Sequence, residues 1–219
     1  MKDKFRVGLI RVLTSDDQDF VNIHGNIIME HFPGIEVISK CIPDQWEGIH
    51  DDETEAIAIP KIVKTAHEFE DIDMIIVSCA DDPGVEELRK EFPNIPVTGG
   101  GETTVAVASK YGKKFGVLGI IDDAPHSYHK HAADKLHTIK RPEGVYNAVD
   151  LLTPGGIDGC VASAKQMAEE GADVIALACT GLTNIGVASR IEKEVGIPVV
   201  DPVIAEGLFA YFESIKRKL

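Results

Sequence analysis

The chain is poor in the residues that build disulfide scaffolds, nucleic-acid grips and membrane spans. It has four cysteines in 219 residues, Cys41, Cys79, Cys160 and Cys179, and no Cys-x-x-Cys pair. That excludes a disulfide-stapled fold, a zinc ribbon and a thioredoxin-like motif, and leaves four thiols whose settings decide their roles. Basic residues are scarce, 22 against 36 acids, for a formal net charge of −14 with the eight histidines neutral. Duplex binding needs clustered Lys and Arg, so no nucleic-acid partner is expected, and the same charge is repelled by anionic membrane surfaces. No apolar run approaches the roughly 20 residues that span a bilayer. The opening Met1-Lys2-Asp3-Lys4 leads into a strand pattern rather than a signal-peptide core, which predicts a cytoplasmic protein. What remains is ordinary for a globular chain: 44% apolar and 26% charged residues, enough for a sizeable core.

Short β-rich runs alternate with longer amphipathic stretches, the pattern of an α/β fold with parallel sheets and helices on both faces. Strands are expected at 5–10, 35–39, 74–77, 95–97 and 117–121. Helices are expected at 17–31, with a stripe of Phe20, Ile23, Ile27 and Ile28, at 54–69, interrupted or kinked near Pro60, at 102–111 and at 203–214. Asp82-Pro83 reads as an N-cap followed by a first helical proline. Residues 138–153 hold either a strand around 145–151 or an inserted loop.

The pattern then repeats. Asp73-Met74-Ile75-Ile76-Val77-Ser78-Cys79 matches Asp173-Val174-Ile175-Ala176-Leu177-Ala178-Cys179 at an offset of 100, and each is followed by a helix and Ile-Pro-Val, at Ile95-Pro96-Val97 and Ile197-Pro198-Val199. Lys4-Phe5 is echoed by Lys114-Phe115. An internal repeat of this size implies two pseudo-symmetric, doubly wound lobes: residues 1–98 with 203–219, and 99–202.

In parallel α/β sheets, ligands bind beyond the carboxyl ends of the strands. The repeat sets Cys79 and Cys179 there, so two thiols are expected to face one inter-lobe cleft from opposite sides. Such a pair suits inversion of a carbon centre: one thiolate removes a proton from one face and one thiol supplies a proton to the other. A helix start beyond each cysteine would favour its thiolate. Asp81, beside Cys79, either steers substrate or orients the thiol. Cys41 and Cys160 lack the duplicated setting and read as structural.

Ser78-Cys79-Ala80-Asp81-Asp82-Pro83-Gly84 together with Ala178-Cys179-Thr180-Gly181-Leu182 resembles the aspartate/glutamate/hydantoin racemase superfamily, its hydantoin racemase branch above all. The resemblance runs from the first strand to the last helix. It implies a two-lobed, cofactor-independent racemase or epimerase with Cys79 and Cys179 as the two bases. It also implies that amides around Ala80 and Thr180-Gly181 hold substrate oxygens and that the loop near Asp122 borders the site. Where relatives carry an Asn-Pro-Asn-Thr-like loop, this chain has Arg11-Val12-Leu13-Thr14. Arg11, at a strand's carboxyl edge, suits a substrate carboxylate or else a structural ion pair, and Thr14 joins it as a candidate substrate contact.

Other features carry less. Gly99-Gly100-Gly101 lacks dinucleotide-binding spacing, with Thr104 at the last glycine position, and reads as a close-packed crossover. His126, His129 and His131 lack the further ligands zinc needs and read as a solvated helix face, with His126 still open to substrate. Asp51-Asp52-Glu53 reads as a helix start. No metal and no cofactor is expected. The substrate is a small molecule, and a homo-oligomer is expected because small cytosolic enzymes commonly assemble symmetrically. Two alternatives stay open: a decarboxylase or cis–trans isomerase on the same fold, needing one thiol, and a non-catalytic small-molecule binder.

Overall fold

The computed structural model describes residues 4–146, 150–153, 155–217 and 219. The elements run β1 (Phe5–Arg11), α1 (Gln18–His31), β2 (Ile35–Cys41), α2 (Asp52–Ala66), β3 (Met74–Ser78), α3 (Val85–Glu91), β4 (Val97–Gly99) and α4 (Gly100–Ala108). They continue with β5 (Phe115–Leu118), α5 (His126–Ala132), β6 (Leu136–Lys140), α6 (Gly156–Glu169), β7 (Val174–Leu177), α7 (Gly181–Asn184), α8 (Val187–Val195), β8 (Val199–Val200) and α9 (Pro202–Lys216). Among these residues no helix is long and apolar enough to cross a membrane.

The chain divides into two compact units, Met1–Gly100 with Glu206–Leu219, and Gly101–Ala205. Each is built on one four-stranded parallel sheet, in the order β2-β1-β3-β4 in the first and β6-β5-β7-β8 in the second. The two orders are the same topology made twice, so the internal repeat is a repeat of architecture. β3 and β7, in the middle of their sheets, are buried along their whole length, which explains their unbroken apolar sequence.

The duplicated motifs have structural jobs. Asp73 pairs its N–H with the carbonyl of Arg6 at 2.7 Å, and Asp173 pairs its own with Lys114 at 2.8 Å. Ile75 donates to the carbonyl of Pro96 at 2.9 Å, and Ile175 to that of Pro198 at 2.8 Å. The shared Asp-x-Ile and Ile-Pro-Val are thus two sides of the same ladder bonds. The Lys4-Phe5 echo is out of step by two residues: Val7 lies opposite Met74, whereas Phe115 lies opposite Val174. In that register Gly8 matches Gly116. A Cβ on Gly8 would fall 2.8 Å from the Phe69 ring, and one on Gly116 would fall 3.0 Å from the Met167 sulfur. Both glycines let a side chain lie flat on the sheet.

Helix expectations hold with three changes. α1 buries Val21, His24, Gly25 and Ile28 rather than a stripe led by Phe20 and Ile23, and Asp17 caps it. α2 runs through Pro60 without a break, and a capping box between Asp51 and Thr54 starts it. α3 begins at Val85 behind Gly84, which has φ +71°, while Asp82 sits at φ +58° and is no N-cap. The Asp-Pro signature fails because the chain makes a left-handed turn there before it can enter a helix. Residues 150–152 form a short 3₁₀ turn, and 147–149 of the doubtful 145–151 stretch lie outside the described residues.

Candidate active site

In the first unit, Cys79 follows the last residue of β3 at the carboxyl edge and is half-buried. Its N–H donates to the carbonyl of Val77 at 2.9 Å, a tight turn that lifts the chain off the strand. Its carbonyl accepts from Gly100 at 3.1 Å and Asp82 at 3.4 Å. Ala80 is buried and Asp81 half-buried in the turn that follows. The glycines after β4 serve this turn. A Cβ on Gly99 would fall 2.1 Å from Oδ1 of Asp82, and one on Gly100 would fall 3.0 Å from the carbonyl oxygen of Cys79 and 2.6 Å from Oε1 of Glu206. The Gly99-Gly100 pair is a packing requirement of the cysteine loop.

Arg11 ends β1 as expected, beside Cys41 on one side and Ser78 on the other. It is only 2% exposed, and its guanidinium turns to α1, donating to the carbonyl of Phe20 at 2.7 Å and lying 4.8 Å over the Phe20 ring. Thr14 is half-buried; it donates to the carbonyl of Ile42 and accepts from the N–H of Gln45, both at 2.7 Å, tying the loops after β1 and β2 together. Burial pushes the Cys41 thiol up, against a smaller opposing pull from Arg11.

The sequence reading missed two residues at this edge. His24 Nδ1 lies 2.8 Å from Ser78 Oγ, and Ser78 donates to Glu206 Oε2 at 2.9 Å. The signals were present: a histidine on the buried stripe of α1, and a lone acid in the apolar run of α9.

In the second unit, β7 ends at Leu177, the N–H of Ala178 donates to Leu118 at 2.8 Å, and Cys179 follows, half-buried. It packs against the core cluster that holds Cys160, whose thiol is pushed up to about 12 by burial, with a further contribution from Cys179. The Cys179 carbonyl accepts from Leu182 at 3.1 Å and that of Thr180 from Thr183 at 3.2 Å, so Thr180 and Gly181, both half-buried, form the first turn of α7. Thr183 is braced by Asp201 at 2.9 Å. Tyr128, fully buried, donates to the Leu177 carbonyl at 2.8 Å and steadies the end of β7.

Asp122 is exposed and grips Arg141 through two bonds of 2.8 and 3.0 Å, which hold its carboxyl below the usual range. His126, His129 and His131 are exposed, and His129 pairs with Asp123 at 3.0 Å. The expected helix start beyond each cysteine is met only in the second unit, where α7 opens two residues after Cys179. α3 begins six residues after Cys79, past two left-handed turns, and α7 has only four residues. Neither cysteine has a long helix dipole behind its turn.

The Asp/Glu/Hydantoin racemase family model matches residues 22–206. The chain belongs to the Asp/Glu/hydantoin racemase family. As a member of that family it is an isomerase. It is 30% identical to the hydantoin racemase of Pseudomonas sp. (strain NS671) over 186 residues, 80% of this chain and 72% of that protein. It is 27% identical to the hydantoin racemase of Paenarthrobacter aurescens over 179 residues, 77% of this chain and 75% of that one. In fold it is similar to allantoin racemase from Klebsiella pneumoniae, with a TM-score of 0.82 at 20% identity over 98% of this chain and 89% of the other. A racemase of this family acts on a small molecule.

Proposed function

We propose that this racemase inverts a carbon alpha to a carbonyl in a hydantoin, an amino acid or a related small carboxylate, without a cofactor, using Cys79 and Cys179 as its two acid–base groups. The observation that carries the reading is the repeat: the same motif sets a half-buried thiol just past β3 and just past β7. Packing alone gives no reason to keep a half-exposed thiol at both edges, whereas two-base inversion needs one on each side of the substrate carbon.

One cysteine acts as thiolate. Its sulfur takes the α-proton, the C–H bond breaks, and the electron pair moves into the carbonyl to give an enolate. The other cysteine, as thiol, gives its proton to the opposite face, and that sulfur is left as thiolate. The proton count is unchanged, so the enzyme emerges with the two roles exchanged and is ready for the other enantiomer. The mechanism requires each sulfur to approach the carbon within about 3–3.5 Å. The amides around Ala80 and Thr180-Gly181 hold the substrate oxygens, where N–H donors are worth most as charge develops. Asp81, Thr14 and Asp122 border the substrate. Arg11 contributes its charge from beneath the edge. The reading includes a homo-oligomer in the cytoplasm, checked by size-exclusion chromatography with light scattering.

The test is α-proton exchange in deuterated solvent, followed by NMR over hydantoins, allantoin, amino acids and dicarboxylates, with optical rotation on any substrate that exchanges. Exchange with racemisation is expected for at least one class. Cys79→Ser and Cys179→Ser are each expected to slow racemisation roughly 10²–10⁴-fold. Full activity in both variants would sink the two-base mechanism.

A further inference from the structure

The two cysteine turns follow matching strands but differ in what lies behind them. Ser78 precedes Cys79, whereas Ala178 precedes Cys179. Ser78 joins two residues distant in sequence, His24 on α1 and Glu206 on α9, and the three are 1%, 0% and 0% exposed. The Ser78 hydroxyl donates to Glu206 and stands 2.8 Å from the Nδ1 of His24. Glu206 takes the hydroxyl hydrogen on Oε2. Its other oxygen and the Cys79 carbonyl lie 2.6 and 3.0 Å from the same point, where a Cβ on Gly100 would stand. The Glu206 end of the set therefore abuts the backbone of the Cys79 turn, and His24 is farther along the chain of bonds.

Ionisable groups are placed in a core at a cost, and the second sheet, with the same strand order, carries alanine at the matching position. An ionised Glu206 beside this turn would disfavour a second negative charge on the Cys79 sulfur. Resting on the two-cysteine reading above, we propose that His24, Ser78 and Glu206 are positioning residues that make the two cysteines unequal. They fix the Cys79 turn and keep Cys79 in its proton-bearing form, leaving Cys179 as the resting base. The enantiomer whose hydrogen faces Cys179 is then the one the resting enzyme takes first.

Alkylation by iodoacetamide, read cysteine by cysteine by peptide mass spectrometry at pH 7.5, tests this without substrate or turnover. It therefore fails or succeeds independently of the racemase reading. In the native protein Cys179 is expected to react at least fivefold faster than Cys79. Glu206→Gln removes the negative charge and keeps the shape, and Cys79 is expected to speed up at least threefold while Cys179 stays within twofold. Ser78→Ala, which copies the second unit, is the variant that folds if Glu206→Gln does not; with a substrate in hand it is expected to lower kcat about tenfold with KM within twofold. Equal rates at the two cysteines in the native protein, or a Cys79 rate unmoved in the variant, overturn the proposal.

Discussion

The carboxylate of Asp73 accepts the backbone N–H of Arg6 at 3.0 Å and fastens the start of β3 to the start of β1. Asp173 does the same in the second unit, accepting from Lys113 and Lys114 at 2.9 and 3.0 Å. Two backbone donors aimed at one oxygen hold the Asp173 carboxyl below its ordinary value of 3.8. Since the folded value is the lower one, this contribution to stability is present above pH 3.8 and is lost as pH falls through the folded value. Asp173→Ala is expected to lower the thermal midpoint at pH 7 by about 2–6 °C. The gap between variant and native protein should narrow as the pH falls below 3.8. A gap that stays constant with pH contradicts the assignment.

Cys160 gives the opposite slope. Its thiol is fully buried and pushed up to about 12 from 9.0, so the folded state holds the proton more tightly than the unfolded chain. Stability is complete below pH 9.0 and is lost as pH rises from there toward 12. The expected slope is about 1.4 kcal/mol per pH unit in that window. Urea unfolding of the native protein and Cys160→Ala at pH 7.5 and 10.5 checks it. The alanine variant is less stable at the lower pH because of its cavity, and the difference should shrink or reverse at the higher one.

The architecture was legible because the repeat is written in backbone-pairing residues: Asp-x-Ile and Ile-Pro-Val recur wherever the ladder needs the same bonds. The place of each cysteine just past its strand was legible for the same reason. What stood behind them was not. Apolar periodicity marks a helix face only to within one residue's rotation, and the stripe led by Phe20 and Ile23 was rotated away from the real one, hiding His24. Arg11 was placed correctly on its strand, but a sequence cannot say which way a long side chain turns, and a helix carbonyl claimed the guanidinium. Asp82-Pro83 misled because capping signatures assume ordinary backbone angles, and Asp82 has a positive φ.

Pro60 tests a local rule that tertiary packing overrides. It is exposed in the middle of α2, where it supplies no N–H to the preceding turn, yet the helix continues through it. Burial of Ala58, Ile62, Thr65 and Ala66 holds the helix on either side. Pro60→Ala restores the missing donor, and the gain is offset in part by a more flexible unfolded chain. The expected outcome is a rise of about 1–2 kcal/mol in unfolding free energy, read as a higher urea midpoint at unchanged slope. A fall in stability would show that the ring itself packs usefully.

Gly100 joins the fold to the chemistry. It has an ordinary backbone angle, so an alanine there meets no backbone strain, only collision. Its Cβ would stand 2.6 Å from a Glu206 oxygen and 3.0 Å from the carbonyl of Cys79, and a backbone carbonyl yields less readily than a side chain. Gly100→Ala must therefore shift the Cys79 turn, and displacement on the order of 1 Å at a reacting group costs roughly a hundredfold in rate. Gly99→Ala is the matched comparison, because its collision is with the side chain of Asp82, at 2.1 Å, which swings aside more easily. Racemisation kinetics on any competent substrate should show kcat lowered about a hundredfold in Gly100→Ala, with circular dichroism unchanged, and a smaller loss in Gly99→Ala. The reverse order would place the sensitive point at Asp82 rather than at the cysteine carbonyl.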